Sequence, residues 1–175
     1  MEMEPKSPCR HPAALAPDRL LADCDVRRTR RSGPGGQNRN KVETAIVLTH
    51  RPSGLVAEAS ERRSQAENHA AALFRLRLAL ALAVRTPPDS EEGPSPLWRA
   101  RCRDGRLAIN PGHDDFPALL AEALDVLADR AMDVRAAAEA LGCSASRLTG
   151  LLRDEPRALR QVNDRRAQRG LRPLR

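Results

Sequence analysis

The residues best suited to chemistry in this chain are consecutive: Ser32-Gly33-Pro34-Gly35-Gly36-Gln37-Asn38-Arg39-Asn40-Lys41. Three glycines and a proline occupy four successive positions, and carboxamide and cationic side chains follow at once. Glycine reaches backbone angles closed to other residues and lets the main chain approach a partner closely. Proline fixes its own φ and biases the preceding residue toward extended structure. Such a loop presents backbone N–H groups outward, with amides and cations on its trailing side. Its chemistry would come from the main chain as much as from side chains. A phosphate-cradling P-loop is the competing reading of the glycines, but no Gly-Lys-Ser/Thr follows them.

Nothing near the loop supplies a Ser-His-Asp set. His11, His50, His69 and His113 are dispersed, and each reads as structural or exposed rather than as a ligand. Cys9, Cys24, Cys102 and Cys143 include no C-x-x-C pair, so neither a metal site nor a disulfide framework is suggested. No cofactor is expected.

The run Ser32 to Asn38 followed by Asn40-Lys41 resembles the Gly-Gly-Gln loop of the class I peptide chain release factors. The resemblance continues through Thr49-His50-Arg51-Pro52-Ser53-Gly54 and Glu61-Arg62-Arg63-Ser64-Gln65-Ala66-Glu67-Asn68, and covers roughly residues 20 to 85. It implies hydrolysis of the ester joining a peptide to the 3′ end of tRNA, with water as nucleophile, in the peptidyl transferase centre of the ribosome. It puts Gln37 at the reaction centre, the backbone N–H facing developing oxyanion charge and the side chain helping to place water. Gly35 and Gly36 would hold the backbone there. Ser32, Gly33, Pro34, Asn38, Asn40 and Lys41 would orient the loop, Lys41 against rRNA phosphate. Arg62 and Arg63 look like further rRNA contacts, although a solvated helix start explains them nearly as well. Arg39 stands where the family commonly has a small apolar residue, which either adds an RNA contact or disturbs loop packing. The implied partners are large-subunit rRNA, peptidyl-tRNA and a glutamine methyltransferase acting on Gln37. A monomer is expected.

Composition fits a polyanionic partner. The 175 residues carry a formal charge of +7 with a pI near 10.4, which favours nucleic acid. With two Phe, one Trp and no Tyr, stacking of bases on aromatic rings is not the expected mode of recognition. The charge is also uneven. Residues 19–51 and 153–175 each hold eight basic and three acidic side chains, whereas 97–152 holds seven basic and eight acidic. The N-terminus lacks a signal-peptide pattern, and the longest apolar run, Leu78 to Val84, is too short to span a bilayer. The chain reads as soluble and cytoplasmic, with no membrane partner.

The elements that must position the loop follow from pattern. Residues 1–18, with Pro5, Pro8, Pro12 and Pro17, show no period and read as a flexible leader. Strands are expected at Asp25 to Arg30, Thr44 to Thr49 and Leu55 to Ala59, with a turn at Arg51-Pro52-Ser53-Gly54. Ser64 and Glu67 form an S-x-x-E capping box. Ala66, Ala70, Leu73, Leu76, Leu80 and Val84 then give the apolar face of a helix packed on the sheet. Residues 19–85 thus make a small α+β catalytic domain, and 86–96 form a linker by composition.

Residues 97–156 read as a mainly helical unit. Asp104-Gly105 signals a hairpin between Trp98-to-Arg103 and Arg106-to-Ile109. Asp115 and Pro117 start a helix carrying Leu120, Leu124 and Leu127. Ala138, Gly142, Leu148 and Leu151, with Ser144 as a cap, have helix-turn-helix spacing; helical hairpins that touch no nucleic acid satisfy it equally. Residues 157–175 are Arg-rich, and Arg157, Arg160, Arg165, Arg166, Arg169 and Arg172 read either as an RNA-binding tail or as a solvated helix with a frayed end.

Stop-codon-reading members of the family carry a separate codon-recognition domain, which residues before about 20 cannot house, and no tripeptide here is assignable to codon reading. The sequence therefore resembles the short, codon-independent hydrolases that rescue stalled ribosomes. The alternatives are a non-catalytic ribosome- or RNA-binding protein with the loop as an rRNA anchor, and a helix-turn-helix DNA-binding regulator.

Overall fold

The computed structural model describes residues 11–29, 44–88 and 93–175. They fall into two compact units. One spans Leu15–Leu80; the other comprises Ala81–Arg175 together with the described residues 11–14.

In the first unit, three short strands form one sheet. The strands β1 (Cys24–Thr29), β2 (Ala45–His50) and β3 (Val56–Ala59) are antiparallel in the order β1-β2-β3. Ile46, Leu48 and His50 of β2 are buried, as are Ala57 and Ala59 of β3. The register sets Ile46 against Ala59 and Leu48 against Ala57, so these side chains share one face. On β1, Arg27 and Arg28 are exposed, the kind of charge that protects an edge strand from unwanted pairing.

The β2–β3 turn closes through bonds from Gly54 N to His50 O (2.8 Å) and from His50 N to Leu55 O (2.9 Å), with Gly54 at φ +69°. The Ser53 hydroxyl lies 2.7 Å from Nδ1 of the buried His50. A short helix, α1 (Pro17–Ala22), precedes β1. Arg51 ties the turn to this region through a backbone bond to Asp23 O (3.0 Å) and an ion pair with Asp25 (2.9 Å).

The long helix α2 (Gln65–Ala83) begins at Ser64, whose hydroxyl accepts from Glu67 N at 3.4 Å. The return bond of a capping box, from the Ser64 amide to Glu67, is not formed among the described residues. Sequence periodicity placed the later part of the helix face, with Leu76 and Leu80 fully buried and Leu73 and Val84 half-buried, but not its first turns. Ala66 and Ala70 are exposed, and the buried series is Asn68, Ala72, Leu76 and Leu80. Counting apolar residues alone missed the start of the stripe, because a polar residue leads it.

The second unit is organised around α4 (Phe116–Asp129), which the short helix α3 (Pro96–Arg101) and a two-stranded hairpin precede. From Phe116 to Leu127 every residue except Glu122 is buried, as suits a helix that is apolar all round. Expected strand Trp98-to-Arg103 is mostly α3: Pro96 occupies its first turn, and the Ser95 hydroxyl accepts from Trp98 N at 3.0 Å. That cap and proline outweigh the local strand pattern. Only Cys102–Arg103 (β4) and Arg106–Leu107 (β5) pair, through Asp104 (φ 50°) and Gly105 (φ 71°). Trp98 is fully buried, and its indole N–H donates to Leu141 O at 2.8 Å.

Next come α5 (Val134–Ala140), α6 (Ala145–Arg153) and α7 (Pro156–Gln168). Asp133 caps α5, accepting from Arg135 N and Ala136 N, and Ser144 caps α6, accepting from Arg147 N at 3.2 Å. Gly142, at φ +63°, makes the reversal between α5 and α6, with Ala138, Leu148 and Leu151 buried across the turn. The helix-turn-helix geometry anticipated from spacing is present, and the α+β class with a helical C-terminal part is what the chain adopts. No helix among the described residues is long and apolar enough to cross a membrane.

Residues 11–18 looked irregular because their prolines break every period. They hold a 3-10 turn at Pro12–Ala14 and the start of α1. His11 is buried, its Nε2 donating to Val84 O (3.1 Å) while its Nδ1 accepts from Ala13 N (3.0 Å). Burial, which disfavours the imidazolium, lowers its pKa to about 4. Nearby, Asp125 accepts from Arg85 (3.0 Å) and from Thr86 N (3.2 Å). Burial outweighs both of these bonds and raises the Asp125 pKa to about 6.

Candidate functional site

The loop residues Ser32, Gly33, Pro34, Gly35, Gly36, Gln37, Asn38, Arg39, Asn40 and Lys41 lie outside the described residues. The frame that carries the segment is described. Thr29, the last residue of β1, pairs with Ala45, the first of β2. The chain therefore leaves and re-enters the sheet at directly opposed positions.

A second fixture acts at the return point. Asn68 is fully buried. Its amide nitrogen donates to Thr44 O (2.7 Å) and Arg62 O (3.0 Å), and its oxygen accepts from Arg62 N (2.9 Å). One carboxamide thus uses both N–H groups and its carbonyl, which offsets the cost of burying so polar a group. It ties the residue where the segment rejoins the sheet to the bend at Arg62. The sequence pattern placed Asn68 within the family-like run without giving it a role. The available signal was a polar residue in phase with Ala72, Leu76 and Leu80.

Arg62 and Arg63 are exposed in the bend 61–63 and make no ion pair among the described residues. Their acidic neighbour is occupied. Glu61 accepts from Ser60 N (2.9 Å) and pairs with Arg75, whose guanidinium also reaches Glu58 O (2.7 Å). The Ser60 amide and the Arg75 bond hold the Glu61 carboxyl down at about 2. Among the described residues, the bend accordingly offers two exposed cations without an ion-pair partner. Among the described residues no group of His, Cys, Asp and Glu could hold a metal ion, and Cys24, Cys102 and Cys143 are free thiols.

The structure places the six arginines of the expected tail in the second unit, where they divide. Arg157 is held by Glu155 (Nε to Oε1, 2.7 Å), and Arg166 donates to Arg172 O (2.8 Å) and to Met132 O. Arg160, Arg165, Arg169 and Arg172 are exposed. The end is not frayed. Gly170, at φ +70°, turns the chain, Leu171 N donates to Arg166 O (2.9 Å), and Asn163 exchanges two hydrogen bonds with Leu174. A glycine C-cap, not visible as a helix signal amid so many arginines, explains the difference.

Comparison with known proteins points the same way as the loop. Residues 21–95 match the family model described as the RF-1 domain. The chain is similar to the chloroplastic peptide chain release factor PrfB1 of Arabidopsis thaliana, with 50% identity over 69 residues, covering 39% of this chain and 15% of the relative. It is also similar to peptide chain release factor 1 of Chlorobaculum tepidum, with 42% identity over 71 residues, covering 37% of this chain and 20% of the relative. This segment therefore carries the RF-1 domain of the class I peptide chain release factors. The chain spans a fifth or less of the length of these relatives.

Proposed function

We propose that the protein hydrolyses the ester bond of peptidyl-tRNA on the ribosome, and that it does so without reading a stop codon, on stalled complexes. The observation that carries this reading is the RF-1 match over residues 21–95, which encloses Gly35-Gly36-Gln37. Water attacks the ester carbonyl, the Gln37 backbone N–H takes up negative charge developing on oxygen, and the 3′ hydroxyl of tRNA leaves. The Gln37 side chain helps place the water. Gly35 and Gly36 supply the backbone geometry. Loss of one preorganised donor of this type costs roughly 100- to 1,000-fold in rate.

Ser32, Gly33, Pro34, Asn38, Arg39, Asn40 and Lys41 orient the loop against large-subunit rRNA, joined by Arg62 and Arg63. Arg160, Arg165, Arg169 and Arg172 meet RNA phosphate from the C-terminal unit. Codon independence is supported by the character of that unit, whose exposed surface is rich in arginine. Arginine suits phosphate contact irrespective of sequence, and the chain has few aromatic rings on which to stack a base. Gln37 is a substrate for a glutamine methyltransferase, and the protein acts as a cytoplasmic monomer without cofactor.

The test is release of labelled peptide from ribosomes stalled on mRNA that ends without a stop codon. Intact protein and Gly36→Ala are compared, with parallel reactions holding a stop or a sense codon in the A site. Release by the intact protein alone, fastest with the A site empty, supports the reading. Ribosome binding without release under any condition refutes it and makes the loop an rRNA anchor.

A further inference from the structure

Two grooves flank α6. One runs between α6 and the segment Leu107-Ala108-Ile109 that leaves the β4–β5 hairpin; the other runs between α6 and Pro173-Leu174-Arg175. Ser146 and Arg153 line both, so they stand on the ridge that separates them. Arg147 and Gly150 line the first groove. Of the charged residues lining the two, Arg147, Arg153 and Arg175 are basic and Asp154 is the one acid. None of these three arginines is in an ion pair among the described residues, whereas Arg85, Arg101, Arg130 and Arg157 of the same unit all are.

Gly150 adds a separate observation. It sits inside α6, where glycine is destabilising relative to alanine. A Cβ built there meets nothing within 4 Å, so internal packing does not demand the glycine. Open space above a bare stretch of helix backbone, beside two unpaired guanidinium groups, is what close contact with an anionic backbone requires.

We propose that this α6 ridge docks on the phosphate backbone of double-stranded RNA. The choice of RNA rests on the ribosomal function proposed above. The ridge chemistry suits it: Arg147 and Arg153 can fork onto phosphate oxygens, and Ser146 supplies a hydroxyl. The outward residues of α6 include no Asn, Gln or aromatic side chain to read or stack a base. Double-helical RNA hides its base edges in a narrow major groove and displays phosphates and 2′-hydroxyls, so contacts of this kind bind by shape and charge.

Binding of full-length protein to a fluorescent mixed-sequence RNA duplex tests this by anisotropy across a salt series, with the matching DNA duplex in parallel. Arg147→Gln combined with Arg153→Gln should weaken RNA binding at least tenfold near 0.1 M salt and lower the slope of log affinity against log salt by about 1 to 2. The charge-matched control Arg99→Gln with Arg130→Gln should change affinity less than twofold. Gly150→Ala should raise the melting temperature yet weaken RNA binding, effects of opposite sign that a merely structural glycine would not give. A double variant that binds like the control overturns the proposal, as does Gly150→Ala with unchanged affinity, or tighter binding to DNA than to RNA. Because this readout needs no ribosome, intact protein that fails to release peptide but loses duplex binding with Arg147 and Arg153 would sink the hydrolase reading alone.

Discussion

Replacing Asn68 with alanine removes three hydrogen bonds from one fully buried position, and the cost can be worked from the structure. The bonds run to Thr44 O, Arg62 O and Arg62 N at 2.7, 3.0 and 2.9 Å. At a net ~1 kcal/mol each, their loss amounts to about 3 kcal/mol. Arg62 is exposed and Thr44 half-buried, so water can reach part of what is left unpaired, and larger desolvation penalties do not apply. For a chain of this size the melting temperature should fall by about 6–12 °C. Asn68→Asp should be at least as damaging, because a carboxylate would face the carbonyl oxygens of Thr44 and Arg62 with no N–H to offer. Urea unfolding followed by circular dichroism measures the loss. A cost below about 1 kcal/mol for Asn68→Ala would refute the view that this side chain secures the return of residues 30–43 to the sheet. Peptide release supplies the functional half: the rate at saturating ribosomes should drop while ribosome affinity stays within a few-fold, since no cation is removed.

Buried titratable groups give the next expectations. Asp125 has a folded pKa of about 6, above its ordinary value of 3.8, so the folded state holds the proton more tightly and stability falls as pH rises from about 4 to 6. His11 is displaced the other way, from 6.5 to about 4, so its contribution is present above about 6.5 and is lost as pH falls toward 4. The two slopes oppose one another. Asp125→Asn should therefore leave a stability profile that rises with pH over this window, and His11→Gln one that falls. Each change should reach ~3 kcal/mol at most, since a tenfold difference in proton affinity between folded and unfolded chain is worth about 1.4 kcal/mol. Parallel profiles for the two variants in urea unfolding would contradict both assignments. Trp98→Phe keeps most of the ring but strands Leu141 O, 2.8 Å from the lost donor in a buried site, and should cost about 1–3 kcal/mol, read as a lower urea midpoint with unchanged m-value.

Local chemistry was legible where a few neighbouring residues decide the backbone. Gly54 and Asp104-Gly105 take the positive φ that their turns require, and Gly142 with Ser144 marks the break between α5 and α6 as the spacing implied. The later part of the α2 face was legible in Leu76 and Leu80, but its first turns were not, because there the buried residue is Asn68, which bonds Thr44 O. A carboxamide 24 positions from its partner leaves no periodic trace. The same holds for Glu61, paired with Arg75 fourteen positions away, and for Trp98, whose partner Leu141 is 43 away. The loop reading rests on composition, since glycine, proline and carboxamides in close succession restrict what a backbone can present, and its residues lie outside those described. What holds its described flank at Thr44 could not be read, because the Asn68 carboxamide meets backbone atoms there that only the fold brings near.

A mechanism built on main-chain donors puts unusual weight on anchors. A catalytic side chain is positioned by its own rotamer and neighbours, but a backbone N–H can be aimed only by fixing the chain on either side of it. Here the two sides are fixed differently. At Thr29 and Ala45 the sheet opposes them by register. One side has a second fixture, since Thr44 O is held by Asn68, which is itself bonded to both the N–H and the carbonyl of Arg62. The bend that receives this constraint carries the two exposed cations, Arg62 and Arg63. Thus the carboxamide that fixes the return of the segment also fixes the backbone from which the proposed RNA contacts project. On the proposed function, a neutral substitution at Asn68 leaves Arg62 and Arg63 in place, so it should lower the rate of release more than ribosome affinity, whereas removal of either arginine should lower affinity first.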